Sequence, residues 1–323
     1  MNGELSHGLP RLSTLGNRIV NALTGEPRLL RGLNRSGLEY TEPDEEGFLS
    51  NAGLSHFEIR WMAGEWGCNI IRLPINQDFA LRGRGAHAGE VYLRDLDRVI
   101  SWASRYGCYT LLDLQWLDAD SPFGANRQFV PPLPNPDSPR LWQTLARRYR
   151  DEPAVLFDVL NEPHDRQTDD PFALWKPDGS QYPATQRQVT MTEWQPWARL
   201  LIDTIRAEAP EALVFVSGTN WAYDLRGFPL DRPNLVYSTH IYPNKGTQWE
   251  QCFGALARSQ PVFAGEWGGV DSDLAWGRRL ADYLDQIGIG WTVWSWTDWP
   301  QMMTRHQPTR FGDLVRSRLK SRV

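Results

Sequence analysis

The strongest constraint on the fold is a regular alternation of short apolar runs with amphipathic, helix-like stretches. Many of the runs are apolar at successive positions, which is typical of parallel strands covered on both faces. The eight runs are Leu29–Asn34, Cys68–Leu73, Cys108–Leu114, Val155–Leu160, Ala212–Ser217, Leu235–His240, Pro261–Glu266 and Gly290–Trp296. Alternation of this kind predicts an α/β protein with a parallel sheet.

The stretches between the runs have the periodicity of helices. The clearest helix is predicted over Met191–Glu208, where apolar residues recur at helical spacing and form one stripe. Thr190 and Glu193 fit a capping box at its start. Two further helices are expected at about Val91–Arg105 and Ser272–Ile287.

The number of strands decides between two doubly wound halves and one closed barrel. A chain of 323 residues is long enough for either arrangement. Eight strands with helices between them, and no linker-like low-complexity segment, favour one (β/α)8 (TIM) barrel. We therefore predict a single domain over residues 1–323. A β-hairpin, formed by Arg11–Leu15 and Arg18–Ala22, is predicted to plug the bottom of the barrel.

Charge and composition narrow the kinds of ligand. The formal net charge of -5, with both signs scattered, provides no basic stripe for nucleic acid and no patch for anionic lipid. The 16 tryptophans instead favour a neutral ligand that stacks on aromatic rings. Cysteine, histidine and acidic residues show no metal-ligand spacing, so no metal or other cofactor is expected.

The sequence gives little information on location. The first twelve residues lack the continuous apolar stretch of a signal peptide, and no segment approaches the ~20 apolar residues of a membrane span. We expect a protein that is either cytoplasmic or secreted with its leader removed. The oligomeric state has no visible sequence signal.

Two glutamates end apolar runs: Glu162 in AVLFDVLNEPH (154–164) and Glu266 in PVFAGEWGG (261–269). In a parallel barrel, catalytic side chains come from the carboxyl ends of several strands. A residue that merely closed a strand would need no asparagine before it and no proline after it, yet Glu162 has both. Paired carboxylates at strand ends predict acid/base or nucleophilic chemistry.

Other polar residues fall at the same barrel edge. Arg72 ends the run CNIIRLP (68–74). Asp113 and Gln115 share one face of their strand, as do His240 and Tyr242, because strand side chains repeat every two residues. The sequence therefore predicts that one rim collects all of these side chains.

Long segments and tryptophans are expected around this rim. The segments Gln115–Pro139 and Pro163–Val189 follow two strands and are rich in turn residues, so they are predicted to build the edge of the site. The tryptophans near the loop tops are Trp116, Trp221, Trp267, Trp294 and Trp299.

Five motifs occur in order between residues 69 and 296: NIIRLPIN (69–76), DVLNEPH (158–164), STHIY (238–242), FAGEWGG (263–269) and TVWSW (292–296). With these motifs the chain resembles glycoside hydrolase family 5. RGLNRSG (31–37) and GTNW (218–221) add to the likeness. The resemblance covers nearly the whole chain.

The resemblance implies a retaining β-glycosidase that works by double displacement. Glu162 would be the general acid/base and Glu266 the nucleophile, with about 5 to 5.5 Å between their carboxyl groups. Arg72 would keep Glu266 ionised, and Tyr242 would hydrogen-bond it. His240 would belong to the polar network near the acid/base.

The resemblance also implies contacts to the sugar. Asn161 would hydrogen-bond the 2-hydroxyl, and Trp294 would form the floor under the sugar, with Trp296 as the register alternative. The other expected substrate-binding residues are Gln115, Trp116, Asn34 and Trp221. Most relatives carry a histidine where this chain has Gln115, which can hydrogen-bond a hydroxyl but cannot carry a charge.

The expected substrate is a β-linked oligo- or polysaccharide, and an endo-β-1,4-glucanase is favoured. A β-mannanase or an exo-acting β-glycosidase of the same family remains an alternative. Two hypotheses come from other classes: a carbohydrate-binding barrel without catalysis, and an unrelated barrel enzyme such as a metal-assisted hydrolase.

Overall fold

The computed structural model describes residues 8–123, 129–269 and 273–321. Eight parallel strands form a closed barrel in the order β10-β3-β4-β5-β6-β7-β8-β9. These strands are β3 (Arg31–Asn34), β4 (Ile70–Asn76), β5 (Tyr109–Trp116), β6 (Val155–Asp158), β7 (Val214–Ser217), β8 (Leu235–Ile241), β9 (Val262–Trp267) and β10 (Gly290–Val293). Each predicted run contains most or all of one strand, so the predicted (β/α)8 barrel is confirmed.

The amino end of the barrel is closed by an antiparallel hairpin of β1 (Leu12–Leu15) and β2 (Arg18–Asn21). Leu12 and Ile19 pack with apolar residues inside the lower barrel. The Tyr109 hydroxyl, on the first residue of β5, donates to the Pro10 carbonyl at 2.7 Å. The predicted plug at the barrel bottom is therefore confirmed.

Helices cover the outside of the barrel. They are α1 (His56–Arg60), α2 (Gln77–Leu81), α3 (Gly89–Arg105), α4 (Ser138–Tyr149), α5 (Met191–Glu208), α6 (Ala255–Ala257), α7 (Leu274–Ile287) and α8 (Arg310–Lys320). The bounds of α5 match the prediction, and its capping box between Thr190 and Glu193 is present. The predicted first residue of α7, Ser272, lies outside the described residues. A short β11 (Met303–Thr304) and β12 (Gln307–Pro308) form a second hairpin before α8.

The inside of the barrel changes from apolar to polar toward its carboxyl end, and β5 is an example. On β5, Leu111 belongs to the apolar cluster of the lower barrel. Asp113, two residues later on the same face, lies level with Asp158 of β6. Both carboxylates are fully buried, as is Arg72 on β4. A polar layer therefore lies across the carboxyl end of the barrel, where the site predicted from sequence belongs.

The described cysteines, Cys68, Cys108 and Cys252, are free and buried. Within the described ranges, none of the helices combines the length and the apolarity needed to cross a membrane.

Candidate active site

Arg72 is the centre of the polar layer. Its guanidinium contacts Asp113 at 2.9 Å, Asp158 at 3.0 Å and Glu266 at 2.8 Å. A fully buried charge persists only when it is paired and hydrogen-bonded, and these contacts satisfy that condition. Burial raises the pKa of Asp113 well above its usual range, although the Arg72 charge opposes this. Asp113, Asp158 and Glu266 therefore share the single positive charge of Arg72.

Glu266, on β9, has a donor on each carboxylate oxygen. Oε1 accepts from Arg72 Nη1 at 2.8 Å, and Oε2 accepts from the Tyr242 hydroxyl at 2.7 Å. Burial, together with the nearby Glu162 carboxyl, raises the pKa of Glu266 above its usual value, and the Arg72 charge and the Tyr242 hydrogen bond oppose the rise. The two donors hold this carboxylate in one orientation and favour its ionised form.

Glu162, which follows β6, has a different environment. Its Oε1 lies 2.8 Å from His240 Nδ1, and its side chain is only 14% exposed. Burial raises the pKa of Glu162 to about 7, with Arg72 and Lys245 opposing the rise. Burial also lowers the pKa of His240 to about 3, so this ring is neutral at neutral pH and brings no charge to Glu162.

The two glutamates face each other. One carboxylate oxygen of Glu162, one of Glu266 and a ring nitrogen of His240 all lie within 4.8 Å of one another. Glu266 has a fixed cation and a hydroxyl donor, whereas Glu162 has neither at its carboxyl. Unequal environments of this kind separate the roles of paired carboxyls. The arrangement can supply a proton from Glu162 and a negative charge from Glu266 to one ligand.

The same three side chains form a group that could hold a metal ion. Sequence spacing does not reveal this group, because its members come from three different strand ends. Both oxygens of Glu266 already accept hydrogen bonds, and His240 Nδ1 already contacts Glu162. A cation would displace these partners and lie close to the Arg72 guanidinium, which makes the group a poor fit for a metal.

The glutamates open into a cavity of about 750 Å³, a typical size for a ligand site. The described residues that line it are Gln115, Asn161, Glu162, Trp221, Tyr242, Pro243, Asn244, Lys245, Glu266, Gly268, Gly269, Trp294, Trp299 and Pro300. Trp221 lies on the Glu162 side, whereas Trp294 and Trp299 come from the opposite side, after β10. Tryptophans at both ends of a narrow polar floor suit a ligand with flat apolar faces and hydroxyl edges.

Two amide side chains lie on the floor. Asn161 Oδ1 accepts from Arg72 Nη2 at 3.0 Å, and arginine has only donors, so this contact fixes the amide and turns its nitrogen toward the cavity. Gln115 lines the cavity, and its buried Oε1 has no hydrogen-bond partner within the described residues. Asn161 therefore offers a donor to a bound ligand, whereas the Gln115 oxygen is buried beneath the surface of the cavity.

The structure distinguishes Trp294 from Trp296, the two candidates for the floor of the site. Trp294 lines the cavity, and its Nε1 donates to the Trp299 carbonyl at 3.2 Å. Trp296 is 2% exposed, and its Nε1 donates to Glu58 at 2.8 Å. Trp294, and not Trp296, faces the cavity.

Two residues expected to bind substrate lie elsewhere, which corrects the prediction. Asn34 is fully buried; it donates to the Gly265 carbonyl at 3.0 Å and accepts from Arg72 at 3.0 Å. Asn34 therefore helps to hold the Arg72 guanidinium in place. Trp116 is 5% exposed and lies outside the cavity lining, because it projects from the face of β5 opposite to Gln115.

The long segments also contribute less than expected. Among described residues, Gln115–Pro139 contributes only Gln115 to the cavity, and Pro163–Val189 contributes none. Shorter loops after β7, β8, β9 and β10 supply the walls instead. Residues 124–128 lie outside the described part of the chain.

Three features of the Trp221 wall were not predicted. Asn220, Trp221 and Ala222 have φ angles of 54°, 60° and 58°, a left-handed turn that persists only where its surroundings enforce it. The His164 ring stacks on the Trp221 indole, with centroids 3.6 Å apart and an interplanar angle of 12°. Lys245 Nζ donates to the Asn220 carbonyl at 3.1 Å and lies 5.9 Å from the indole centroid. The indole is thus held from two sides.

A parallel (β/α)8 barrel with two close, unequally held carboxyls in a tryptophan-lined cavity defines the class of barrel glycosidases. The sequence profile of the family described as cellulase (glycosyl hydrolase family 5) matches residues 48–299. The chain belongs to this family, and the resemblance seen in its motifs is confirmed.

Individual relatives are distant. The chain is 26% identical over 311 residues to an endoglucanase of Microbulbifer sp. (strain ALW1), covering 90% of this chain and 52% of that protein. It is 22% identical over 304 residues to an endoglucanase of Pectobacterium carotovorum subsp. carotovorum, covering 91% of this chain and 51% of that protein. The chain thus spans about half the length of these curated relatives.

Solved structures share the fold. A β-glucanase of Saccharophagus degradans has a TM-score of 0.76 and 24% identity, with 98% of this chain and 94% of that chain covered. The catalytic domain of a Thermobifida fusca endoglucanase, solved with cellotetraose, has a TM-score of 0.70 and 18% identity, with 99% and 100% covered. A complex of the Saccharophagus enzyme with cellotetraose has also been solved.

Proposed function

We propose that the protein is a retaining endo-β-1,4-glucanase whose single catalytic domain spans residues 1–323. The observation that carries the proposal is the meeting of Glu162 and Glu266 oxygens within 4.8 Å in unequal environments. Retaining glycosidases have carboxyl groups about 5 to 5.5 Å apart, whereas inverting enzymes leave about 6.5 to 9.5 Å for a water molecule. The short separation supports retention.

In the first step, Glu266 attacks the anomeric carbon while Glu162 protonates the departing glycosidic oxygen. The bond to the leaving sugar breaks, and a covalent glycosyl ester forms on Glu266. In the second step, Glu162 takes a proton from water, whose oxygen attacks the anomeric carbon and releases Glu266. Two inversions give a product with the original β configuration, and both carboxyls return to their starting states.

The neighbouring groups suit these roles. Arg72 and Tyr242 stabilise the charge of Glu266 between catalytic cycles. Asn161 offers its amide nitrogen to the sugar 2-hydroxyl, a contact that can strengthen in the transition state. Trp294 offers an indole face as the floor of the cleavage subsite.

The choice of β-glucan rests on the relatives. Two relatives are named endoglucanases, and two structural neighbours were solved with cellotetraose. The cavity also has aromatic residues on both sides of the glutamates, which suits cleavage within a chain better than removal of a terminal sugar.

The pH dependence of kcat/KM follows from the two carboxyls. Glu162 must be protonated and Glu266 ionised, so activity should fall as the pH rises through about 7, the pKa of Glu162. Because Lys245 lowers that pKa, Lys245→Gln should move the alkaline limb to higher pH. A pH profile of kcat/KM on an aryl β-cellobioside measures both effects. An alkaline limb below pH 5, or a downward shift in the variant, would contradict the assignment.

A hydrolysis screen tests the proposal as a whole. We expect cleavage of soluble β-1,4-glucan into oligosaccharides of mixed length, with little or no release from mannan or xylan. Proton NMR of the first product should show the β anomer before mutarotation. EDTA should leave the rate unchanged, since neither of the two proposed steps uses a metal ion.

Each other outcome selects an alternative. Preferred cleavage of mannan would indicate a β-mannanase, and release of single sugars only would indicate exo action. An α anomer would exclude retention. Loss of activity in EDTA with recovery on adding a divalent metal would indicate metal-assisted hydrolysis. Binding of glucan without cleavage would indicate a non-catalytic barrel.

A further inference from the structure

We propose that a second depression beside the catalytic cavity is a remote subsite for a glucosyl unit on the glycone side, with Trp299 as its stacking platform. The inference rests on the proposed function, because it takes the ligand to be a β-glucan chain. The inference adds to that function a binding position, the residue that forms it and the direction in which the glucan chain crosses the barrel.

Trp299 is the first observation. Its side chain is 74% exposed, although most other tryptophans of the described ranges are buried. An exposed indole beside a cavity offers a flat apolar face on which a sugar ring can stack. Trp299 lines the catalytic cavity and also a neighbouring depression of about 300 Å³.

The second observation is continuity between the two spaces. Gly269, Trp299 and Pro300 line both, so a chain that leaves the catalytic cavity on this side passes over the indole. The rest of the depression is lined by Gln301, Thr304, Thr309 and Phe311. None of its described lining residues is charged. A neutral ring with an apolar face for Trp299 and hydroxyl groups for Gln301 fits this chemistry.

The direction of the chain follows from the order of the strands. The proton donor Glu162 follows β6, and the leaving sugar must lie on its side of the site. Trp221 and Lys245 follow β7 and β8 on that same side. Glu266 ends β9, and Trp299 follows β10, beyond the nucleophile. The depression at Trp299 therefore receives the glycone part of the chain, toward its non-reducing end.

The loop that carries Trp299 is held in place before any ligand binds. The Trp299 carbonyl accepts from Trp294 Nε1 at 3.2 Å, which ties the platform to the floor of the cleavage subsite. Asp298 N donates to Ser295 Oγ at 2.8 Å, and the Asp298 carboxylate accepts from the Tyr40 hydroxyl at 2.8 Å. These contacts hold the backbone that carries the Trp299 indole, so little backbone entropy is lost on binding, which favours affinity.

The test varies the glycone while the leaving group stays the same. Wild type and Trp299→Ala are compared on 4-nitrophenyl β-glycosides of cellobiose, cellotriose, cellotetraose and cellopentaose. We expect kcat/KM of the wild type to rise at the glycone length that reaches the depression. Trp299→Ala should lose this gain, about tenfold for one aromatic contact. Trp299→Tyr should recover part of it.

Phe57→Ala is the matched control, because Phe57 is a comparably exposed aromatic residue (67%) on α1 that lines neither space. It should keep the wild-type dependence on length. An equal loss in Trp299→Ala at every length, or no loss at any length, would overturn the subsite.

A binding measurement separates this inference from the proposed function. Calorimetric titration of cellopentaose into Glu266→Gln protein, with and without Trp299→Ala, needs no turnover. Affinity about tenfold weaker in the double variant supports the subsite even if the wild type cleaves no glucoside. Equal affinities would overturn it, whereas a wild type inactive on every glucoside would contradict the proposed function alone.

Discussion

Replacing Glu266 with glutamine is expected to lower kcat on every β-glucoside by at least about 10⁴-fold, because an amide cannot form the glycosyl ester. The loss should be independent of the leaving group, since both steps pass through the Glu266 ester. The fold should survive. Arg72 keeps its contacts with Asp113 and Asp158 in the variant, and the replacement removes one of three carboxyls that share a single cation.

The measurement is kcat and kcat/KM on an aryl β-cellobioside, together with a thermal unfolding curve. Glu39→Gln is a matched control, because Glu39 is also a buried carboxyl at this end of the barrel but lies outside the cavity lining. Burial raises the pKa of Glu39 to about 8, so at neutral pH glutamine resembles its protonated form. Near-normal activity in a folded Glu266→Gln protein would refute the mechanism.

Much of the fold is predictable because its signals are local. The bounds of Met191–Glu208 follow from a capping box and a helical stripe, both of which act within a few residues. The barrel strands follow from buried apolar runs. Strand parity then predicts that Gln115 lines the cavity and that Arg72 and Asp113 share the polar layer beneath it.

The site is less predictable where the conformation of a loop decides which side chains reach the cavity. Asn34 ends β3 and Asn161 follows β6, and both accept from Arg72, yet only Asn161 lines the cavity. Lys245 and His164 reach the Trp221 wall through loop geometry, for which local sequence has no periodic signal. His164 does belong to the motif DVLNEPH, which provides a weak clue.

Replacing Glu162 with glutamine should have an effect that depends on the leaving group. For β-glucan, whose leaving sugar needs a proton, kcat/KM should fall by about 10²- to 10⁴-fold. For a 2,4-dinitrophenyl β-cellobioside, the first step needs no proton donor and kcat/KM should stay close to wild type. The second step loses its base, so the glycosyl ester should accumulate and give a burst of dinitrophenol followed by slow turnover.

Azide distinguishes the two glutamates. As an anion it needs no base, so it should restore turnover of the dinitrophenyl substrate in Glu162→Gln and form the β-glycosyl azide on the face that water normally attacks. Glu266→Gln should not respond in this way, because it forms no ester. The alkaline limb of the kcat/KM profile should also disappear in Glu162→Gln. Equal losses on both substrates, with no effect of azide, would mean that Glu162 does not act as the acid/base. The close approach of the Glu162 and Glu266 oxygens, within 4.8 Å, would then need another explanation.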